Sequence, residues 1–155
     1  MRTVHVTMSS HLTPERVLAA GYDFSARRAE VFPAVSTDHL VVHELGSASA
    51  DVTEGTPVGI GVNWERCHYD WSTPGLVTAR VVDSNVYTPG NSRWVLRVTP
   101  YSAGSRVEMT WERGFRTGFR GRVFGTLFRL VGTRLFSRYA RQVLDNLETM
   151  ATAEA

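Results

Sequence analysis

The period of apolar positions changes along this chain, and each change marks an element. Val4, Val6 and Met8 alternate with polar neighbours, which predicts a short first strand. Thr13-Pro14-Glu15 supplies an N-cap with proline at the first helical position and starts a helix over 14–21. Ser25 to Phe32 has helix-compatible residues and stops at Pro33, so a second short helix follows. From residue 39 the period is that of strands: 39–45, a polar stretch 46–55 holding an edge strand near Asp51, then 59–72, 76–87, 93–99 and 106–112. The turn sequences at 73–75 and 88–91 separate them. Short loops imply antiparallel hairpins with sequential strands as neighbours.

The last two strands show their faces. Val107, Met109 and Trp111 alternate with charged or polar residues, and Trp94, Leu96 and Val98 form the matching apolar row. Beyond Gly121 the period becomes helical, with Phe124, Phe128, Val131, Leu135, Tyr139, Val143, Leu147 and Met150 spaced by threes and fours. That spacing predicts a helix of about 30 residues, or about 45 Å. On a 100° wheel Gly121, Gly125 and Gly132 fall on its inward face, where each costs about 1 kcal/mol relative to alanine. They imply either close sheet contact or empty volume, unless the helix simply starts after Gly125. The whole, residues 1–155, reads as one α+β domain.

Composition narrows the classes. With 155 residues, 43% apolar and 21% charged, the chain suits an ordinary globular domain. No apolar run approaches the roughly 18–20 residues of a spanning helix, and the opening residues lack a secretory core, so a cytoplasmic location is expected. Cys67 is the only cysteine, which excludes an intramolecular disulfide and a cysteine-built zinc site. All 17 basic residues are arginine, which removes lysine Schiff-base chemistry. The formal charge of +2 hides a segregation: residues 106–141 carry 9 Arg and 2 acids, whereas residues 1–105 carry 8 Arg and 10 acids. Arg113, Arg116, Arg120 and Arg122, interleaved with Phe115, Phe119 and Phe124, suit either a solvated flank or transient contact with an anionic membrane surface. No nucleic-acid module accompanies them, and no nucleic-acid partner is expected.

The segment Trp64–Trp71 gathers the most reactive side chains. If Ile60, Val62 and Trp64 face inward, strict alternation turns Arg66, His68 and Asp70 inward as well, placing a guanidinium and an imidazole in an apolar pocket. A bulge near Cys67 reverses this, bringing Tyr69 and Trp71 inside and leaving Arg66 and His68 on the solvent face. His39 and His43 share a face, yet with His68 or Glu65 they match no familiar ligand spacing, so neither metal nor cofactor is expected. A lone strand cysteine such as Cys67 reads as a small packed hydrophobe, and no Gly-x-Ser-x-Gly elbow is present.

Strand, two short helices, hairpin-linked strands and one long closing helix, together with 59–64 (GIGVNW) and 104–111 (GSRVEMTW), resemble the helix-grip fold of the START-like and birch-allergen-like superfamily, also called SRPBCC. The nearest branch in this likeness is the bacterial polyketide cyclase/dehydrase and lipid-transport group, and it extends from Val4 to about Met150. The resemblance implies a curved antiparallel sheet wrapped around the long helix, with a cavity for a hydrophobic or amphipathic molecule, lipid or polyketide-like, between them. Trp64, Trp94, Leu96, Met109, Trp111, Phe128, Gly132, Leu135 and Tyr139 are the expected ligand-binding wall. The alternative implied is an aromatase/cyclase, in which Arg66 orients an enolate oxygen and His68 or Tyr139 moves the proton. A chaperone-activating interaction protein, with the arginine block against an acidic partner, is a third class. A monomer or weak homodimer is expected.

Overall fold

A computed structural model describes residues Met1–Ala155. Its elements are β1 (Arg2–Ser10), α1 (Pro14–Gly21), α2 (Arg28–Val31), a 3₁₀ turn (Thr37–His39), β2 (Leu40–Leu45), β3 (Ser49–Val58), β4 (Gly61–Asp70), β5 (Leu76–Ser84), β6 (Arg93–Tyr101), β7 (Gly104–Arg113) and α3 (Phe119–Ala153). The seven strands form one antiparallel sheet in the order β1-β7-β6-β5-β4-β3-β2. This is the helix-grip arrangement: a curved open sheet, a long C-terminal helix across its concave face, and short helices between β1 and β2. No helix is long and apolar enough to cross a membrane.

Local chemistry explains the elements that alternation located. The Thr13 side chain accepts from the Arg16 amide and Pro14 opens α1, as the cap sequence requires. Trp94 stands directly opposite Trp111, and Leu96 opposite Met109, so the two apolar rows share one inner face. Three expectations need correction. The supposed second helix over 25–32 shrinks to four residues. His39 lies in the 3₁₀ turn, so it does not share a strand face with His43. The polar stretch 46–55 contains most of a ten-residue strand, β3, which lies inside the sheet between β2 and β4. It is an interior strand and not the expected edge one; its inward row contains Ala50, Val52, Glu54 and Thr56, too polar for a hydrophobic alternation to show its length or its place in the sheet.

Packing divides the space under the sheet. The C-terminal half of α3 buries Ala140, Val143, Leu144 and Ala151, and α3 runs along β1, filling one end. Helix α1 covers β5, β6 and β7 so closely that a Cβ on Gly21 would stand 2.9 Å from Leu96. The N-terminal half of α3 begins five residues before Phe124, so Gly121 and Gly125 belong to the helix. None of the three inward glycines opens empty volume. At Gly132 a Cβ would meet the Phe128 ring, one turn earlier, at 3.1 Å, and at Gly125 it would meet the Phe115 ring at 3.2 Å. At Gly121 it would overlap the Arg116 carbonyl. The glycines therefore seat aromatic rings and a loop backbone against the helix.

Gly121→Ala must displace backbone and is expected to destabilise the protein by about 1–3 kcal/mol. Gly59→Ala, whose Cβ meets nothing within 4 Å, is expected to stay within about 0.5 kcal/mol. Thermal melts of the two variants compared with the parent test this contrast.

Candidate functional site

Between the inner sheet face, the α2 segment and the first half of α3 lies a cavity of about 400 Å³. Of its 25 lining residues 19 are hydrophobic, so shape and apolar area dominate whatever enters it. A chain of touching aromatic rings forms much of the wall. Tyr87 meets Phe115 at 5.5 Å, Phe115 meets Phe128 at 5.5 Å, Phe128 meets Phe136 at 5.1 Å, and Phe136 meets Trp111 at 4.9 Å. Edge and tilted geometries hold these rings in fixed positions, giving the cavity a preformed outline.

The polar part of the wall is a charge array. Glu54 on β3 and Glu65 on β4 stand directly opposite each other in the ladder, a like-charge pair that would by itself be destabilising. Each carboxylate is held by a buried arginine arriving from its own side. Arg28, from α2, pairs through Nε with Glu54, donates to the Gly21 and Asp23 carbonyls, and gives a 3.0 Å bond to the Tyr69 hydroxyl, which donates in turn to Glu54 at 3.2 Å. Arg113, the last residue of β7, makes a two-pronged contact with Glu65 at 3.0 and 3.4 Å and lies over the Tyr87 ring at 4.4 Å. Its Nε is buried without a partner.

Burial works against both guanidinium charges, yet the facing carboxylates outweigh it and hold Arg28 and Arg113 above their ordinary values. Burial pushes the phenols of Tyr69, Tyr87 and Tyr139 up, so all three stay protonated at neutral pH and can donate hydrogen bonds. No side chain bonds the Tyr87 or Tyr139 hydroxyl, and although Tyr139 is hydrogen-bonded to the Ala34 backbone, both O–H groups are left to donate to an oxygen inside the cavity. Burial also pushes the Cys67 thiol well above its ordinary value, the reverse of what a nucleophilic thiolate needs.

The expected wall residues separate into two groups. Trp64, Trp94, Met109, Trp111, Phe128, Leu135 and Tyr139 line the cavity; Leu96 is sealed beneath α1 and Gly132 beneath Phe128, and neither reaches it. Arg66 and His68 are not in the cavity. Strand β4 alternates without a break against β3, and it is the row Asn63, Glu65, Cys67 and Tyr69 that faces inward; the register slip of the β4–β5 ladder places its extra residue, Val82, on β5. Arg66 instead grips Asp51 on the outer face at 2.7 and 3.1 Å, and His68 is exposed beside it in the ladder. The hydrogen bond from Arg66 holds the Asp51 carboxyl below its ordinary value. Glu54, Glu65, Arg28 and Arg113, none of them among the expected wall residues, carry the site's charge. The one sequence signal for them was Arg113, an arginine in the inward register of Val107, Met109 and Trp111.

The cavity reaches the surface between α3 and the tip of the β3–β4 hairpin, where Leu127 and Leu135 line it while remaining 44% and 51% exposed. Arg120 spans this gap, donating to Asn63 Oδ1 at 2.8 Å and to the Ile60 carbonyl. Gly61 admits the guanidinium, because its φ is +114° and a Cβ there would stand 2.6 Å from Arg120 Nη2.

Among known proteins, residues 1–152 match the family model for polyketide cyclase/dehydrase and lipid transport. The chain belongs to that family. No curated protein matches this family member by sequence. Solved structures are similar in fold. A protein from Thermus thermophilus is 16% identical with a TM-score of 0.76, covering 99% of both chains. The Zhui aromatase/cyclase from Streptomyces sp. R1128 is 16% identical with a TM-score of 0.74, covering 95% of this chain and 93% of its own. A START superfamily protein from Mycobacterium smegmatis is 10% identical with a TM-score of 0.73, covering 96% and 98%. At these identities the likeness establishes the fold of this polyketide cyclase/dehydrase and lipid-transport family member and nothing finer.

Removing one member of a buried pair strands the other, so Glu65→Leu is expected to destabilise by up to about 3–5 kcal/mol. Adding Arg113→Met should recover a substantial part of that loss, and urea unfolding of the parent, both single variants and the double variant measures the coupling.

Proposed function

We propose that this protein binds a neutral, mainly apolar small molecule that carries carbonyl or hydroxyl oxygens, a polyketide-like aromatic or a polar-headed lipid. One observation supports this most directly: the cavity is apolar over most of its wall, and its four charges, two buried arginines and two part-buried carboxylates, cancel in pairs, Arg28 with Glu54 and Arg113 with Glu65. An anionic head group finds no unpaired cation there and meets two carboxylates instead, so entry of a fatty-acid carboxylate carries an uncompensated desolvation cost. A neutral oxygen finds the protonated Tyr87 and Tyr139 hydroxyls. Trp111, Phe128 and Phe136 then supply flat apolar area.

A second reading, an aromatase/cyclase, is favoured by the presence of carboxylates and protonated phenols in the same cavity and by the fold shared with a protein named as such. In that reading Tyr139 or Tyr87 hydrogen-bonds a ligand carbonyl, and Glu65 accepts the proton released on enolisation. Arg66 and His68 have no part in it, because both lie on the outer face. Both Glu65 oxygens are already taken up by Arg113, which is why binding is the preferred reading.

Trp94 and Trp111 make the cavity its own reporter. Titration with neutral polycyclic phenols or quinones should quench or shift tryptophan fluorescence, and fatty acids at neutral pH should respond at least tenfold more weakly. Tyr139→Phe is expected to weaken binding of the neutral ligand by about five- to thirtyfold, the loss of one hydrogen bond of about 1–2 kcal/mol. Arg66→Ala and His68→Ala should leave binding unchanged. A preference for anionic ligands, or a strong effect of Arg66→Ala, would sink the proposal.

A further inference from the structure

The half of α3 that roofs the cavity is apolar on two sides. Inward it presents Phe128 and Phe136; outward, Phe119, Val123, Leu127, Leu130 and Val131 follow one another at helical spacing and remain exposed, Phe119 by 74% and Leu130 by 71%. Across the gap the hairpin tip adds Ile60, also exposed. Arginines surround this stripe. Arg122 and Arg129 flank it, Arg134 and Arg138 follow a turn later, and all four are exposed with no acidic side chain paired to them. From Arg113 to Leu144 the chain contains no aspartate or glutamate at all.

We propose that this face, the outward side of Phe119–Leu135 with the tip of the β3–β4 hairpin, docks on an anionic lipid surface. Exposed apolar side chains within a collar of cations are what an interfacial helix presents to acidic head groups: the apolar residues enter the acyl boundary and the arginines meet phosphates. A second copy of the chain is a poorer occupant, since a two-fold contact would press one arginine collar against another. The location adds a reason of its own. Leu127 and Leu135 belong to the docking face and to the cavity rim at once, so a molecule leaving the bilayer would reach the cavity without crossing water. That last clause rests on the proposed ligand-binding role, whereas docking itself does not. Arg120, which ties Ile60 and Asn63 to α3 across the mouth, lies within the same face, and a lipid phosphate competing for its guanidinium would loosen the tie where entry is needed.

Co-sedimentation with vesicles of phosphatidylglycerol and of phosphatidylcholine tests the proposal. Expected is binding to the former that exceeds binding to the latter at least tenfold and that falls in 0.5 M salt, where screening operates over about 4 Å. Leu130→Glu, on an exposed side chain outside the cavity, should reduce binding to phosphatidylglycerol at least tenfold with an unchanged thermal melt. Arg122→Glu with Arg129→Glu should do the same. No partition onto phosphatidylglycerol, or partition that Leu130→Glu leaves intact, overturns it. So does a parent protein that elutes as a dimer and becomes monomeric with Leu130→Glu, since the face would then be occupied by a second copy. Ligand titration without vesicles runs in parallel, so a failure of docking and a failure of ligand binding are read separately.

Discussion

Two carboxylates facing each other across the β3–β4 ladder form the constraint on which the cavity depends. Glu54 and Glu65 sit under an apolar roof, where their mutual repulsion is poorly screened and either one alone would be costly to bury. Arg28 and Arg113 resolve this from opposite sides, and each does so from a place that matters for the enclosure. Arg28 also binds the Gly21 and Asp23 carbonyls, so neutralising Glu54 pins the segment between α1 and α2 over the sheet. Arg113 ends β7 and leads into the loop that starts α3, so neutralising Glu65 fixes where the roof begins. The four charges thus hold the α2 segment and the start of α3 in place over the cavity.

The same array shapes the chemistry of the interior. Because the charges cancel in pairs, the cavity has polar groups without a net field for an ion, and the phenols near them stay protonated. Such pairs are weak sources of net stability compared with apolar packing, but they fix position strongly, since breaking one strands a charge. Rigid aromatic contacts from Tyr87 to Trp111 add a preformed outline, and the glycines of α3 allow Phe115 and Phe128 to lie flat against the helix. The volume comes from how elements are held apart, not from small residues on the helix.

At the mouth the constraints relax. The first half of α3 is apolar on both faces and basic throughout, conflicting demands for a helix that must roof a cavity and meet solvent. An interface between water and lipid satisfies both, whereas bulk water satisfies only the arginines. Arg120 bridges the gap with a hydrogen bond and a carbonyl contact, which can be exchanged for an anion more readily than the buried pairs deeper inside.

The sequence by itself determined the fold and the apolar wall. Period-two rows at Trp94–Val98 and Val107–Trp111, the Thr13-Pro14 cap and the long run of apolar positions spaced by threes and fours are local signals, and they placed the elements and six of the wall residues. Where local signals ended, reading failed for identifiable reasons. Strand β3 reads in the sequence only as an edge strand near Asp51, because its inward row carries Glu54 and Thr56, residues whose inward direction makes sense only once Arg28 arrives from another element. Arg66 and His68 were candidates for the interior because the apolar Val62 and Trp64 set the phase of the alternation; β4 alternates without a break, and the tertiary structure turns the row of Asn63, Glu65, Cys67 and Tyr69 inward instead. Gly132 read as possible empty volume because a sequence names neighbours along the helix but not the rotamer that folds Phe128 back over it. Tertiary structure alone decided the charge array, since pairing Glu54 with Arg28 and Glu65 with Arg113 joins residues 26 and 48 positions apart, and electrostatic partners that distant leave no period in the chain.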